Sequence, residues 1–312
     1  GAIAGDVEDG LGEYISDTLL ACVTGFAHKT DVYAALLGCI NEEDGEFAEE
    51  VVNKTVKALE SAVISGATRD VKLLLRFVCL WPAVRLCPVS QLTGSGFLGA
   101  IVDVCVAAGE GERERADEAV GALLFALIWC YKALSGVESG AACVSTVASS
   151  IQTTYMSQRP AGTCKPAAET LLFPSAPSLR DEDGLATLLE CLNGLIADAG
   201  ATANATSTLP TILADRTDSV CRLAAETLDE AEPLDLPTLT LGSVADWAVA
   251  KKGHGRSCTR GVRLFGDGGC AKGATFLWGG SYREKALSPI SAMDRLCMRD
   301  LVLDILMTHT PR

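Results

Sequence analysis

The stretch EFAEEVVNKTVKALESAVIS, residues 46–65, shows the pattern that decides the fold. Val52, Val56 and Leu59 follow one another at intervals of four and three residues, and polar residues fill most positions between them. Because an α-helix turns once every 3.6 residues, this spacing places the apolar side chains on one face. The pattern predicts an amphipathic helix that ends at Gly66, a residue suited to a left-handed C-cap.

The same spacing recurs along most of the chain. The predicted helices cover residues 13–28, 31–40, 46–65, 69–81, 97–108, 112–134, 141–156, 182–199, 210–231 and 292–309. Strand-like alternation is limited to two short segments, residues 239–241 and 261–265. Many helices without a strict repeat length predict an all-α fold, an α-solenoid of about five HEAT-like antiparallel helix pairs.

Length and composition agree with one large helical unit. The chain has 312 residues, of which 48% are hydrophobic, 21% charged and only 5% aromatic, which excludes a disordered chain and disfavours a β-sandwich. We expect residues 1–312 to form a single helical-repeat domain with irregular insertions at about 158–180 and 251–281. Because the chain opens with Gly1 rather than Met, we expect it to be a fragment of a longer multi-domain protein.

Charge confines any nucleic-acid contact to one part of the chain. The net charge of −14 excludes a phosphate-binding surface over the whole protein, because such a surface must be cationic. Lys251, Lys252, Arg256, Arg260 and Arg263 lie within thirteen residues on a glycine-rich stretch. We interpret them as a candidate RNA or partner contact, and the alternative is a solvated loop without a binding role.

The cysteines point to a reducing compartment. There are 13 of them, an odd number, and no C-x-x-C motif or Cys/His zinc spacing occurs. Those inside apolar runs should be small core residues, and they are Cys39, Cys79, Cys105, Cys130 and Cys191. We therefore expect no metal site and a nuclear or cytosolic protein.

Motifs for catalysis or cofactor binding are weak. The segment GSGFLG, residues 94–99, matches a dinucleotide-binding fingerprint with Asp117 further on, but no strand pattern precedes it. We interpret it as a loop that leads into a helix at Phe97. The acidic group at 181–183 is better explained as helix capping than as paired catalytic carboxylates. No nucleophile motif occurs, so the sequence favours a protein that is not an enzyme and has no cofactor.

The longest apolar run, residues 119–131, predicts a buried core helix. It contains 13 residues, fewer than the roughly 20 that cross a bilayer. Phe125 and Trp129 lie four residues apart on this helix, and we expect both to be core residues rather than part of a ligand site.

Several helical segments resemble a known family in sequence and in order. They are DVYAALLGCIN (31–41), GEFAEEVV (45–52), VKLLLRFV (71–78), RADEAV (115–120) with Trp129, LADRTDSV (213–220), VRLF (262–265) and the helix 293–309. Together they resemble the first of three 4G middle domains in the large subunit of the nuclear cap-binding complex. The stretches 158–180 and 251–281 depart from the family pattern.

The resemblance implies a HEAT-like stack of the initiation-factor-4G middle-domain type that acts as a scaffold. In that family a small RNA-recognition-motif subunit holds the methylated cap, and the large subunit supports it and recruits RNA processing and export adaptors. The implied partners are this small subunit, the adaptors and, indirectly, capped RNA, with no membrane contact. The implied location is the nucleus, with shuttling to the cytoplasm.

Three other functions fit the same helical pattern. A 4G-type translation-initiation or RNA-decay scaffold would dock a DEAD-box helicase. A karyopherin-like transport adaptor would consist of many more, and more even, repeats. An enzyme built on a helical scaffold is the third. Two further helical domains in the full-length chain would favour the cap-binding interpretation.

Overall fold

The computed structural model describes residues 11–26, 29–93, 96–159, 183–198, 209–228 and 232–248. All regular secondary structure in these residues is helical, which confirms the predicted all-α class. The helices are α1 (Gly12–Gly25), α2 (Thr30–Glu43), α3 (Gly45–Ile64), α4 (Thr68–Leu80), α5 (Phe97–Val106), α6 (Arg113–Ser135), α7 (Gly140–Ser150), α8 (Gly184–Asp198) and α9 (Leu209–Thr227). Helix α7 continues through a π-helical segment, Ile151–Tyr155, and a last turn, Met156–Gln158.

The ends of α3 follow from local sequence. Asp44 caps its start, where the side-chain Oδ1 accepts a hydrogen bond from the backbone N–H of Phe47 at 3.0 Å. After the helix, Gly66 adopts a φ of +67°, as the sequence predicted. The N–H of Ala67 then donates to the carbonyl of Ala62 at 2.8 Å, which satisfies one of the last helical carbonyls.

Helix α6 lies at the centre of the described structure. It packs against α4, α5, α7, α8 and α9, while α2 packs against α3, α4 and α9. The segment Glu110–Ser135 is long and apolar enough to cross a membrane by length and composition, but most of it is buried inside this fold. The structure therefore confirms residues 119–131 as part of a core helix.

Phe125 and Trp129 pack against the core but remain half-buried. Each faces a cation from α4: the Lys72 Nζ lies 5.9 Å from the centre of the Phe125 ring, and the Arg76 Cζ lies 3.9 Å from that of Trp129. Lys72 and Arg76 are both buried. The faces of the aromatic rings offset part of the loss of hydration that the two cations undergo.

The prediction that cysteines are core residues is correct for three of the five. Cys79, Cys105 and Cys130 are buried, and Cys191 is half-buried. The prediction for Cys39 is wrong, because this residue is exposed on the outer face of α2. A cysteine in an apolar run is buried only if neighbouring elements cover the side of the helix on which it lies.

The strand predicted at residues 239–241 is also wrong. Leu239 and Leu241 are buried, but residues 239–241 have no regular secondary structure, and the part of the chain that the structure describes contains no strand. The prediction for 261–265, the helix 292–309 and the insertion 251–281 lie outside the described residues, as does all but the start of the insertion at 158–180.

A buried polar cluster joins α6 to the end of the α7 segment and to the start of α8. The hydroxyl of Tyr155 donates to Asp117 Oδ1 at 2.5 Å, and Arg159 Nε lies 2.8 Å from the same oxygen. Arg159 also pairs with Asp183. Burial and the neighbouring Asp117 raise the pKa of the Tyr155 hydroxyl, so it stays a hydrogen-bond donor.

The cluster settles two sequence interpretations. Asp183 Oδ1 accepts from the N–H of Leu185 at 3.1 Å, which confirms the helix-capping role for this residue, while 181 and 182 lie outside the described residues. Asp117 is buried and engaged with Tyr155, so it does not face a dinucleotide. A short turn, Val89–Gln91, precedes the glycine segment where a Rossmann fold has a strand, and α5 begins at Phe97 as expected.

Replacement of Asp117 by Ala should lower the free energy of unfolding by about 3–5 kcal/mol, because it removes the acceptor of the buried Tyr155 hydroxyl and one of the two carboxylates that pair with Arg159. Urea denaturation followed by circular dichroism measures the change. The matched control is Asp103→Ala, which removes an exposed carboxylate on α5 and should stay within about 0.5 kcal/mol of wild type. Equal losses in the two variants would contradict a structural role for the cluster.

Candidate partner-binding surface

The basic residues singled out in the sequence, Lys251, Lys252, Arg256, Arg260 and Arg263, lie outside the described residues. Their role as an RNA or partner contact stays a prediction. The segment that precedes them is described, and it forms a distinctive surface feature. We call residues 232–248 the strap.

The strap crosses the helices mostly without regular secondary structure. Near one end, the N–H of Leu234 donates to the carbonyl of Leu86 at 2.7 Å, in the loop after α4. At the other end, the N–H of Ala248 donates to the carbonyl of Ile64 at 2.6 Å, at the end of α3. Between these points its regular structure is limited to a single turn, Val244–Asp246.

Side chains of the helices and loops hold the main chain of the strap. Gln91 Oε1 accepts a hydrogen bond from the N–H of Leu236 at 2.6 Å. Glu60, on α3, accepts one from the N–H of Thr240. Both contacts are made to the main chain of the strap and not to its side chains.

Two donors complete this arrangement at the ends of the strap. Asn41 Nδ2, on α2, donates to the carbonyl of Glu232 at 3.1 Å. Arg115 Nη1, at the start of α6, donates to the carbonyl of Ala245 at 3.2 Å and also to that of Trp247. A guanidinium that bonds two carbonyls fixes the path of this backbone more firmly than a single neutral donor would.

Four apolar side chains anchor the strap between these contacts. Leu239, Leu241, Val244 and Trp247 are 8%, 3%, 1% and 3% exposed. The indole N–H of Trp247 donates to the carbonyl of Leu241 at 2.8 Å, which closes a compact loop. Gly242, inside that loop, has a φ of +63°, a conformation that a side chain would strain.

A small pocket lies between α3, α4 and α6, and the strap residues Trp247 and Ala248 form part of its wall. The pocket is lined by Val63, Gly66, Thr68, Val71, Arg115, Glu118 and Ala119. Thr68 Oγ1 donates to Glu118 Oε2 at 3.2 Å. Burial raises the pKa of the Glu118 carboxyl and the nearby Glu114 adds to this effect, while the Thr68 hydrogen bond opposes it.

An open groove of about 540 Å³ lies between the loop after α4 and the turn that joins α6 to α7. Its polar lining consists of Ser90, Thr93, Glu138, Ser139 and Thr146. The thiols of Cys87 and Cys143 also line it. Burial raises their pKa to about 12 and about 11, so both are protonated at neutral pH and are poor nucleophiles. The described residues contain no cluster of three or more metal-ligating groups.

A third feature is an apolar stripe on the outer face of α2, formed by Val32, Leu36 and Cys39. The three side chains follow at intervals of four and three residues, and Val32 and Leu36 are 43% and 37% exposed. On the opposite side of the same helix, Leu37 and Ile40 are buried. We call these three residues the α2 stripe.

Sequence reasoning missed the strap and the α2 stripe. Pro233 and Pro237 were a usable signal for the strap, because two prolines four residues apart disfavour a helix, yet the short leucine alternation suggested a strand instead. The α2 stripe gave no such signal, because a helix with apolar residues on both faces has the same sequence pattern whether one face is exposed or both are buried.

Replacement of Glu118 by Gln should stabilise the protein at pH 7. A raised pKa means that the charged carboxylate is disfavoured in the fold, so wild type gains stability as the pH falls through that pKa. The advantage of the variant should therefore shrink toward about pH 4, where an ordinary glutamate protonates as well. Thermal melts from pH 4 to pH 8 test this, with Glu49→Gln, an exposed carboxyl on α3, as the control. An increase in melting temperature that does not change with pH would contradict this prediction.

Comparison of the chain with protein-family models, with curated proteins and with solved structures returned no match.

Proposed function

We propose that this chain is a scaffold subunit of a nuclear mRNA cap-binding complex. In this proposal it supports a small RNA-recognition-motif subunit, which holds the cap, and it recruits RNA processing and export adaptors. The chain itself has no enzymatic role and no cofactor, and it meets capped RNA through the small subunit. Its place of action is the nucleus, with shuttling to the cytoplasm.

The positions of the resembling segments support this proposal. They fall on α2, α3, α4, α6 and α9, apart from the two segments beyond residue 248. These helices also touch one another: α2 packs against α3, α4 and α9, and α6 packs against α4 and α9. The residues that carry the resemblance thus belong to one connected part of the core.

We propose further that the helices form a HEAT-like α-solenoid of the 4G middle-domain type. Several consecutive helices pack in pairs, such as α3 with α4 and α6 with α7, and some helices two apart also make contact, such as α2 with α4 and α4 with α6. Stacked helix hairpins have this pattern of neighbours. Helix α9 departs from it, because it contacts α2 near the start of the chain.

The observation that carries the scaffold role is the α2 stripe. An exposed row of apolar side chains at helical spacing is typical of a surface that a partner covers. The buried ionisable groups, in contrast, serve the fold: Asp117 and Tyr155 bond each other, and the groove thiols Cys87 and Cys143 are protonated. An exposed apolar stripe and ionisable groups that are engaged within the fold favour a binding role over a catalytic one.

Retention on a cap resin tests the proposal. The full-length protein, purified from its source cells, should carry a stoichiometric small subunit with an RNA-recognition motif, and the pair should bind 7-methylguanosine resin at moderate salt. Free methylated cap nucleotide should elute both proteins, whereas unmethylated GTP should not. A complex that ignores the resin would overturn the cap-binding proposal.

The α2 stripe should act in adaptor recruitment and not in cap retention. The double variant Val32→Glu, Leu36→Glu should lose co-purifying adaptors while the small subunit and cap retention stay unchanged. The matched control is Leu223→Glu, which places a charge at a 65% exposed leucine on α9. Equal loss of adaptors in both would show that the effect of the charge is not specific to α2.

Replacement of Lys251, Lys252, Arg256, Arg260 and Arg263 by Ser tests the predicted basic contact. If the block binds RNA, the complex should bind a capped oligonucleotide more weakly and with a shallower dependence on salt, because fewer counterions are released. Binding of the cap nucleotide alone should stay the same. The melting temperature should hardly change, since exposed charges contribute about 0–1 kcal/mol each. Identical salt slopes would leave the solvated-loop alternative.

A further inference from the structure

We propose that the α2 stripe is a self-association surface, and that α2 of a second copy of this chain covers it in antiparallel orientation. In the proposed function adaptors use the same stripe, so the dimer is the form of the protein that has no adaptor bound. This exclusion rests on the proposed function, whereas the dimer itself needs only the chain.

The row of exposed residues on α2 extends beyond the stripe at both ends. Lys29 lies at the N-cap, three residues before Val32, and Glu43 ends the helix, four residues after Cys39. Both are exposed. Because successive helical residues are rotated by about 100°, positions 29, 32, 36, 39 and 43 fall within a sector of about 80°. Their alternating intervals of three and four residues are the spacing by which one helix packs along another.

The two ends of this row carry opposite charges. Lys29 is at the first end, and the exposed carboxylates of Glu42 and Glu43 are at the other. Partial burial raises the pKa of the Cys39 thiol, and these two carboxylates raise it further, so both lie close to the last residue of the stripe. The row therefore has a basic end, an apolar centre and an acidic end.

Such a row is complementary to itself when it is reversed. Lys29 and Glu43 each lie seven residues from Leu36, so a twofold axis near Leu36 brings each Lys29 to Glu43 of the other copy. A parallel pair would instead place like charges together at both ends. A twofold dimer uses the same patch on both copies, which fits a self-complementary row. The net charge of −14 opposes association of two chains, so the opposite charges at the ends decide the orientation.

The size of the row indicates a reversible dimer. Helix α2 has 14 residues and is about 21 Å long. Stable interfaces bury about 1,200–2,000 Å² in total, and contact along one such helix lies at the low end of this range. The dimer should therefore form and dissociate with protein concentration, which leaves the stripe accessible to an adaptor.

Sedimentation equilibrium of the purified 312-residue chain under reducing conditions tests for the dimer. Across a concentration series, the average mass of wild type should rise from that of a monomer toward that of a dimer. The double variant Val32→Glu, Leu36→Glu should remain a monomer, because it places charges in the centre of the contact. The matched control, Leu223→Glu on α9, alters another exposed leucine and should dimerise like wild type.

Charge reversal tests the antiparallel order. Lys29→Glu and Glu43→Lys should each raise the dissociation constant of the dimer by about tenfold, because each turns two opposite-charge contacts into like-charge contacts. The two substitutions in one chain restore opposite charges and should return the constant close to the wild-type value. An equimolar mixture of the two single variants should also dimerise. Both substitutions suit the helix dipole, so circular dichroism should show an unchanged fold.

Three results would each overturn the inference. They are a wild-type chain that stays monomeric at every concentration, a stripe variant that dimerises like wild type, and single charge reversals that leave the dissociation constant unchanged, as in a parallel pair. Because these measurements use the purified chain alone, a monomer would leave the cap-resin test unaffected, and a complex that ignores cap resin would leave the dimer unaffected.

Discussion

The rest of the structure depends on the burial of one helix. Helix α6 has neighbours on most of its circumference, so each polar group near it must find a partner inside the protein. At its start, Asp117 receives the Tyr155 hydroxyl and faces Arg159, and this cluster ties together segments that are distant in sequence. Further along, Trp129 covers the buried guanidinium of Arg76. An apolar helix with paired polar contacts at defined points gives the surrounding helices a single way to pack.

The protein presents apolar surface in two physically different ways. The α2 stripe is open to solvent. The apolar surface beneath the strap is covered by the chain itself, and side chains such as Gln91 and Arg115 bond the backbone of the strap.

Local features of the chain were predictable in some detail. The amphipathic spacing located α3, Gly66 has the left-handed backbone expected of a C-cap, and Asp183 caps α8 as its place at a helix start indicated. These features depend on neighbours a few residues away, so the local sequence is enough to predict them. Cys39 and the leucines at 239 and 241 were misjudged for the opposite reason, since their surroundings come from distant parts of the chain.

By itself, the sequence determined the helical class and the approximate ends of the helices, because periodicity, capping and composition act over one or two turns. Only the tertiary structure decided which face of α2 is exposed, that Arg115 holds the backbone near Trp247, and that Asp117 belongs to a buried cluster. Apolar residues give the same sequence pattern whether a neighbouring helix covers them or they face water. The difference lies in the packing of residues that are far apart in the chain, and that packing follows from burying α6 on all available sides.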